Sequence, residues 1–138
     1  MYFKIVNGTI QNSRKPIVGG FEQNGLVYEC DPARLVVVSD TEVRDKTDQE
    51  IFDRIRPSIE SALFAAAEGH IQTQLSAMAY AKTLVEAEKS KTKAQENAAW
   101  VQGIWDDHDA RIAALAPGVE VNYDFSSHGS KPNKVKDY

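Results

Sequence analysis

One stretch, residues 47–115, carries helical periodicity almost throughout and is the only part of the chain long enough to make a substantial packed surface. Thr47 followed by Glu50 is typical of a capping box, in which each side chain satisfies a free amide at the start of a helix. Apolar residues then recur at helical spacing. They are Ile51, Phe52, Ile55, Ile59, Leu63 and Ala66. A helical region over residues 47–116 is therefore predicted.

Two residues interrupt this pattern. Pro57 disfavours helix at Arg56, so a kink or a break is expected there, and Gly69 is a natural end for the helix that follows. Helical spacing resumes in residues 70–89, and the polar residues 89–97 read either as a solvated helix or as a link between two helices. The residues that share one face of the resumed helix are Leu75, Met78, Ala79, Lys82 and Val85.

From Ala98 to Leu115 the spacing indicates an amphipathic helix that ends before Pro117-Gly118. Trp100 and Trp105 lie five positions apart on it, so one can enter a core while the other reaches a partner. Tryptophan and tyrosine are over-represented among the residues that dominate interface energies. The alternative is that both tryptophans are packed inside the monomer. The predicted partner-binding residues are Trp100, Ile104, Trp105 and Tyr80.

The first 40 residues are rich in turn signals and β-branched residues. Asn7-Gly8 favours a two-residue hairpin between a strand at residues 2–6 and a return strand. Asn24-Gly25 suggests a second hairpin, and residues 34–39 read as a further strand. A charged connector is expected at residues 40–46. Such a small sheet must pack on helices, on another copy of the chain or on a partner, because isolated hairpins are marginal in water.

The whole chain is predicted to be α+β and to form one folding unit, since 138 residues suit a single domain. An amino-terminal antiparallel β-meander at residues 1–40 is followed at 47–116 by an antiparallel helical hairpin or a three-helix bundle. Residues 117–138 are expected to give a short strand and then a mobile tail, since serine, glycine, lysine and asparagine dominate the end of the chain.

Composition narrows the classes of partner. A net charge of −4 argues against nucleic acid. No signal-peptide pattern is visible, and no apolar run approaches the roughly 20 residues needed to cross a bilayer, so no membrane partner is expected. Cys30 is the single cysteine, which excludes an internal disulfide, and it is predicted to be a small buried apolar group.

No motif of the sequence assigns a catalytic, cofactor-binding or metal-ligating residue. The acidic residues around His108, which are Asp106, Asp107 and Asp109, read as a solvated helix face with the histidine packed at its edge. His128 follows two serines, but a flexible tail would give it no fixed third group for nucleophilic catalysis. A non-enzymatic protein that acts by binding is therefore expected.

One set of helical packing residues is distinctive when taken together with the opening segment at residues 3–10. These helical residues are Ile59, Leu63, Ala67-Glu68-Gly69, Ser76-Ala77, Tyr80-Ala81, Ala98-Ala99-Trp100, Val101, Ile104-Trp105 and Ile112. In them, residues 51–115 resemble small tail-associated proteins of tailed bacteriophages and prophages, and residues 3–10 are similar to the hairpins that begin such proteins. The alanine-rich helical part is longer here than in the better-known chaperones of this group.

This resemblance implies a tail-fibre assembly chaperone or a minor tail component, and it carries over no catalytic position. The expected partner is a phage tail-fibre or tail-tip protein, with a homo-oligomer as a further option. The expected location is the host cytoplasm during assembly, or the virion tail if the protein is retained. A phage-encoded inhibitor of a host protein is the third alternative.

Overall fold

The computed structural model describes all 138 residues and has the α+β class that the sequence predicts. Two small antiparallel sheets precede three helices. The strands are β1 (Tyr2–Val6), β2 (Thr9–Ser13), β3 (Phe21–Glu22), β4 (Leu35–Ser39) and β5 (Glu42–Asp45). The helices are α1 (Asp48–Gln72), α2 (Ala77–Glu88) and α3 (Thr92–Ala113). The chain divides into two compact units, Met1–Arg54 and Ile55–Tyr138.

The first sheet has the strand order β2-β1-β3. Its predicted Asn7-Gly8 turn is confirmed: both residues have positive φ, 52° and 76°, as a two-residue hairpin of this hand requires. The second hairpin predicted at Asn24-Gly25 is wrong, because β3 lies before that turn and pairs directly with β1. Phe3 of β1 is fully buried and contacts the ring of Phe21.

The second sheet is a single hairpin of β4 and β5. β4 confirms the strand predicted from the β-branched run, whereas β5 occupies the residues expected to form a charged connector. Val43 explains this difference, since it is buried with Phe3 and Leu35 in the core of the amino-terminal unit. Cys30 is exposed, which corrects its assignment as a buried group, because it lies in a surface turn.

The predicted capping box at the start of α1 is confirmed. The Thr47 hydroxyl accepts from the amide of Glu50 at 3.1 Å, and a carboxylate oxygen of Glu50 accepts from the amide of Thr47 at 3.1 Å. Arg44 in β5 adds a bond of 2.6 Å from its guanidinium to the same carboxylate. The hydrogen bond from Arg44, followed by that from the Thr47 amide, lowers the pKa of Glu50 to about 2.

A carboxyl group with a lowered pKa in the folded state stabilises the fold only while it is ionised. The contribution of Glu50 should therefore be complete above its ordinary pKa of about 4.3 and should be lost as the pH falls towards 2. We expect the amides at the start of α1 to lose protection from hydrogen exchange in this range. The variant Glu50→Gln should lack this acid-dependent loss, and an unchanged profile in both proteins would contradict the prediction.

Helix α1 runs without a break through Pro57 and Gly69, which corrects the break and the stop expected there. Pro57 has no amide proton to donate to the carbonyl of Asp53, and next to it the Ser58 hydroxyl donates to the carbonyl of Ile55 at 2.7 Å. Beyond Gly69 the helix continues because Ile71 belongs to the same buried cluster as Leu63. Tertiary packing therefore outweighs both local signals.

The second helix begins at Ala77 after Ser76, whose hydroxyl caps the amide of Ala79 at 3.1 Å. The polar residues 89–97, which periodicity assigned neither to a helix nor to a link, contain both: residues 89–91 form the short link, and the rest belong to the start of α3. The face of α2 that spacing assigns to Met78 and Val85 is not the buried one, since Thr83 is fully buried while Met78 is 85% exposed. None of the three helices is long and apolar enough to cross a membrane.

Residues 119–138 depart from the expected strand and mobile tail. No strand forms, and the segment lies against the helices through hydrogen bonds to buried polar side chains. The side-chain amide of Asn97 donates to the backbone carbonyl of Asn133 at 2.9 Å and to the hydroxyl of Tyr138 at 2.7 Å. The Tyr138 hydroxyl also lies 2.6 Å from that of Thr83. This docking explains why Thr83 is on the buried face of α2.

Candidate protein-binding surface

An aromatic ridge formed by Phe64 of α1 with Trp105 and His108 of α3 lies on the surface of the helical unit. The ring centroids of Phe64 and Trp105 are 5.1 Å apart, and His108 stands edge-on to both rings. Half of the Phe64 side chain is exposed. Contiguous exposed apolar patches mark protein contacts, and aromatic residues are frequent at the centres of such contacts, so the aromatic ridge is a candidate contact surface.

Two hollows flank the aromatic ridge. The first, of about 550 Å³, is lined by Pro57, Glu60, Ser61, Phe64, His108 and Ile112. The second, of about 200 Å³, is lined by Glu68, Ile71, Gln72, Leu75, Ala77, Tyr80 and Trp105. Because Phe64 lines the first and Trp105 the second, the contacting ring pair forms the wall between them. A ridge between two hollows offers a partner both a protruding apolar contact and two recesses for its own side chains.

The predicted partner-binding residues separate into three groups. Trp105 and Tyr80 are half-buried and line the second hollow, where they contribute to the candidate surface. Ile104 is fully buried in the helical core, which corrects its assignment because no partner can reach it. Trp100 packs against the same core, and its indole N–H donates to the carbonyl of His128 at 3.0 Å. Trp100 therefore anchors the carboxyl-terminal segment.

The outer face of α2 carries a second group of exposed apolar side chains. Met78, Leu84 and Val85 are 85%, 45% and 53% exposed. The helical spacing placed Met78 and Val85 on one face with Leu75, and nothing in the sequence singled out Phe64. A helical wheel could not identify the exposed face of α2, because packing on α3 and on the docked carboxyl-terminal segment decides which side of that helix is covered.

The acidic cluster on α3 forms hydrogen bonds within the chain. A carboxylate oxygen of Asp106 accepts from the side-chain amide of Gln102 at 2.9 Å. A carboxylate oxygen of Asp109 lies 3.0 Å from Nδ1 of His108. The other ring nitrogen of His108 is buried without a hydrogen-bond partner. No three residues of the metal-binding types His, Cys, Asp and Glu converge anywhere in the chain. His108 serves mainly as a wall of the first hollow.

Asp107 joins α3 to the carboxyl-terminal segment. Arg111 donates to both of its carboxylate oxygens, at 3.1 and 2.8 Å, and His128 lies 2.7 Å from one of them. Hydrogen bonds from Arg111, and then from His128, lower the pKa of Asp107. His128 therefore has a fixed carboxylate partner, contrary to the expectation from sequence. No serine hydroxyl bonds to its ring, so the arrangement is a clamp between two parts of the unit.

We compared the chain with protein families, curated proteins and solved structures. No family model, no curated protein and no solved structure matches the chain.

Proposed function

We propose that this chain is a non-enzymatic tail protein of a tailed bacteriophage and that it binds an unassembled tail-fibre or tail-tip protein as an assembly chaperone. The observation that supports binding is the aromatic ridge with its two flanking hollows. The link to phage tails is supported by the resemblance of residues 51–115 described above. These two parts of the proposal have separate origins and can be tested separately.

The aromatic ridge has the chemistry of a protein contact. Phe64 is half exposed. A partner that covered its ring would remove apolar area from water, and each Å² removed would stabilise the contact by about 25 cal/mol before the costs of association. Tyr80 and Trp105 present large rings that are already held by the core, so little side-chain entropy is lost when they are covered. Such preorganised aromatic residues are typical centres of interface energy.

A transient chaperone and a retained tail component could use the same surface. Protein analysis of purified virions separates them, since a chaperone should be absent and a structural component should be present at a fixed stoichiometry. We favour the chaperone, which is the first of the two roles that the resemblance of residues 51–115 implies.

The binding surface can be tested by co-purification with the tail-fibre protein encoded in the same genome. We expect the double variant Phe64→Ala with Trp105→Ala to weaken the complex by at least about 2 kcal/mol, or about 30-fold in Kd, because it removes both rings of the wall between the hollows. Isothermal titration calorimetry on the purified proteins would measure this change.

The matched control is Tyr123→Ala, which removes an exposed aromatic ring elsewhere in the same unit. It should leave the affinity within about twofold. Thermal melting followed by circular dichroism would verify that each variant is folded. If folded double variant and control bound equally well, the aromatic ridge would not be the contact surface. If the unmodified chain captured no tail protein, the phage assignment would fail.

A further inference from the structure

The two strands of the β4–β5 hairpin differ in what lies along their outer edges. In the register of this sheet, Val36 faces Arg44 and Val37 faces Val43. The amide of Lys46 donates to the carbonyl of Arg34 at 2.8 Å, so these two residues form a hydrogen-bonded pair. Hydrogen-bonded and non-hydrogen-bonded pairs alternate along an antiparallel ladder, so Val36 with Arg44 is the next hydrogen-bonded pair and Val37 with Val43 is a non-hydrogen-bonded pair. The amide and carbonyl of Val37 and of Val43 must therefore point away from the partner strand.

The outer edge of β5 is closed by a side chain. The Val43 amide donates to the side-chain oxygen of Gln23 at 2.9 Å, and the Val43 carbonyl accepts from the side-chain amide of Gln23 at 2.6 Å. Gln23 thus pairs with β5 as a neighbouring strand would. On β4 the amide of Leu35 already donates to the carbonyl of Pro32. The outward groups left by the alternation are therefore the carbonyl of Leu35 and the amide and carbonyl of Val37, just before the register shift that follows Val37. This short part of β4 is the open edge of the hairpin.

A groove of about 630 Å³ includes the open part of β4 in its lining. The rest of its lining comes from the β1–β2 turn, the start of β2, the short 3-10 helix Pro32–Arg34 and the residue that follows β5. The lining residues are Gly8, Thr9, Ile10, Pro32, Ala33, Leu35, Val36, Val37 and Lys46. Most of these side chains are apolar, and Lys46 is the one cation among them. The ammonium of Lys46 forms no salt bridge within the chain.

We propose that the open edge of β4 binds an extended segment of the partner protein, with alternating apolar side chains and a carboxylate that pairs with Lys46. Free backbone donors and acceptors of a strand edge are matched by another extended strand. The apolar groove accepts every second side chain of such a strand. This inference rests on the proposed function for the existence of a protein partner, and it adds a site in the amino-terminal unit that is separate from the aromatic ridge.

The test uses the full chain and an acetylated, amidated peptide of alternating threonine and valine that ends in glutamate. We expect it to shift the backbone NMR signals of β4 and of the start of β2 while leaving those of α3 in place. Methylation of the peptide's ladder-forming backbone nitrogens removes their hydrogen-bond donors and should weaken binding at least about tenfold. Replacement of its glutamate with glutamine should weaken binding by about two- to fivefold.

Two variants test the protein side. Val37→Pro removes the outward amide without removing a bond of the β4–β5 ladder, and it should weaken peptide binding about tenfold. Lys46→Gln should remove the preference for glutamate over glutamine in the peptide. The methylated peptide keeps the test informative on the unmodified protein if Val37→Pro does not fold.

Equal binding of methylated and unmethylated peptides, or signal shifts confined to the helices, would overturn the inference. Dimerisation of the chain through β4, detected by sedimentation and lost in Val37→Pro, would also overturn it, because a second copy would then occupy the edge. If the peptide did not bind but the chain captured a tail protein, this inference would be overturned and the proposed function would stand. If the peptide bound but the chain captured no tail protein, the phage partner would be ruled out and the strand-binding site would stand.

Discussion

Replacing Asn97 with leucine is expected to release the carboxyl-terminal segment from the helices and to lower the free energy of unfolding by about 3 kcal/mol. Asn97 is fully buried, and its side chain makes two bonds to the backbone of Asn133 and one to the hydroxyl of Tyr138. Leucine has a similar size but offers no partner to these three groups, and each hydrogen bond contributes about 1 kcal/mol net. Urea unfolding would measure the loss.

Limited digestion with trypsin reports the release directly, because the segment contains Lys134 and Lys136. The Asn97→Leu variant should be cut at these lysines much faster than the unmodified protein. Gln102→Leu is the matched control, since Gln102 lies on the exposed part of the same helix and its loss should change stability by less than about 0.5 kcal/mol. Equal cutting rates in all three proteins would show that Asn97 does not hold the segment.

The second large effect is expected at Arg111, where even the substitution Arg111→Lys should cost about 2 kcal/mol. The guanidinium donates to both oxygens of Asp107 and to the carbonyls of Asn122 and Asp124, at 2.9 and 2.8 Å. It also lies 3.9 Å above the ring of Phe125. Lysine keeps the charge but has a single ammonium, which cannot reproduce this planar set of contacts.

Acid titration separates the loss of this geometry from a general loss of charge. The lowered pKa of Asp107 means that its stabilising contribution is complete above about pH 4 and disappears as the pH falls through the lower folded-state value. In Arg111→Lys the pKa should return towards its ordinary value, so the unfolding free energy should depend less on pH below 4. Arg54→Lys, at an exposed arginine, serves as the control and should leave the profile unchanged. An unchanged profile in Arg111→Lys would contradict the assignment.

Features set by a few neighbouring residues were predictable from sequence. The Asn7-Gly8 turn and the Thr47–Glu50 cap depend on backbone angles and on side chains that reach three residues along the chain. The α+β class followed from the change in periodicity near residue 47. These signals are local, and the tertiary structure agrees with them.

Features set by distant contacts were not predictable. Thr83 is buried because Tyr138, 55 positions away, bonds to it, and no period in α2 indicates that. Gly69 and Pro57 are local helix breakers that packing of the core outweighed. The candidate surface was predicted in part: Trp105 and Tyr80 line it, whereas Ile104 is hidden and Phe64 emerged only from the packing of α1 on α3.

Pro57 has one more consequence. It supplies no N–H to the carbonyl of Asp53, so α1 lacks one rung of its hydrogen-bond ladder close to the division between the two compact units at Arg54. A turn with a missing rung opens at lower cost than its neighbours. Heating can therefore melt the sheets and the helices in separate steps, and a single transition temperature would not describe the whole chain.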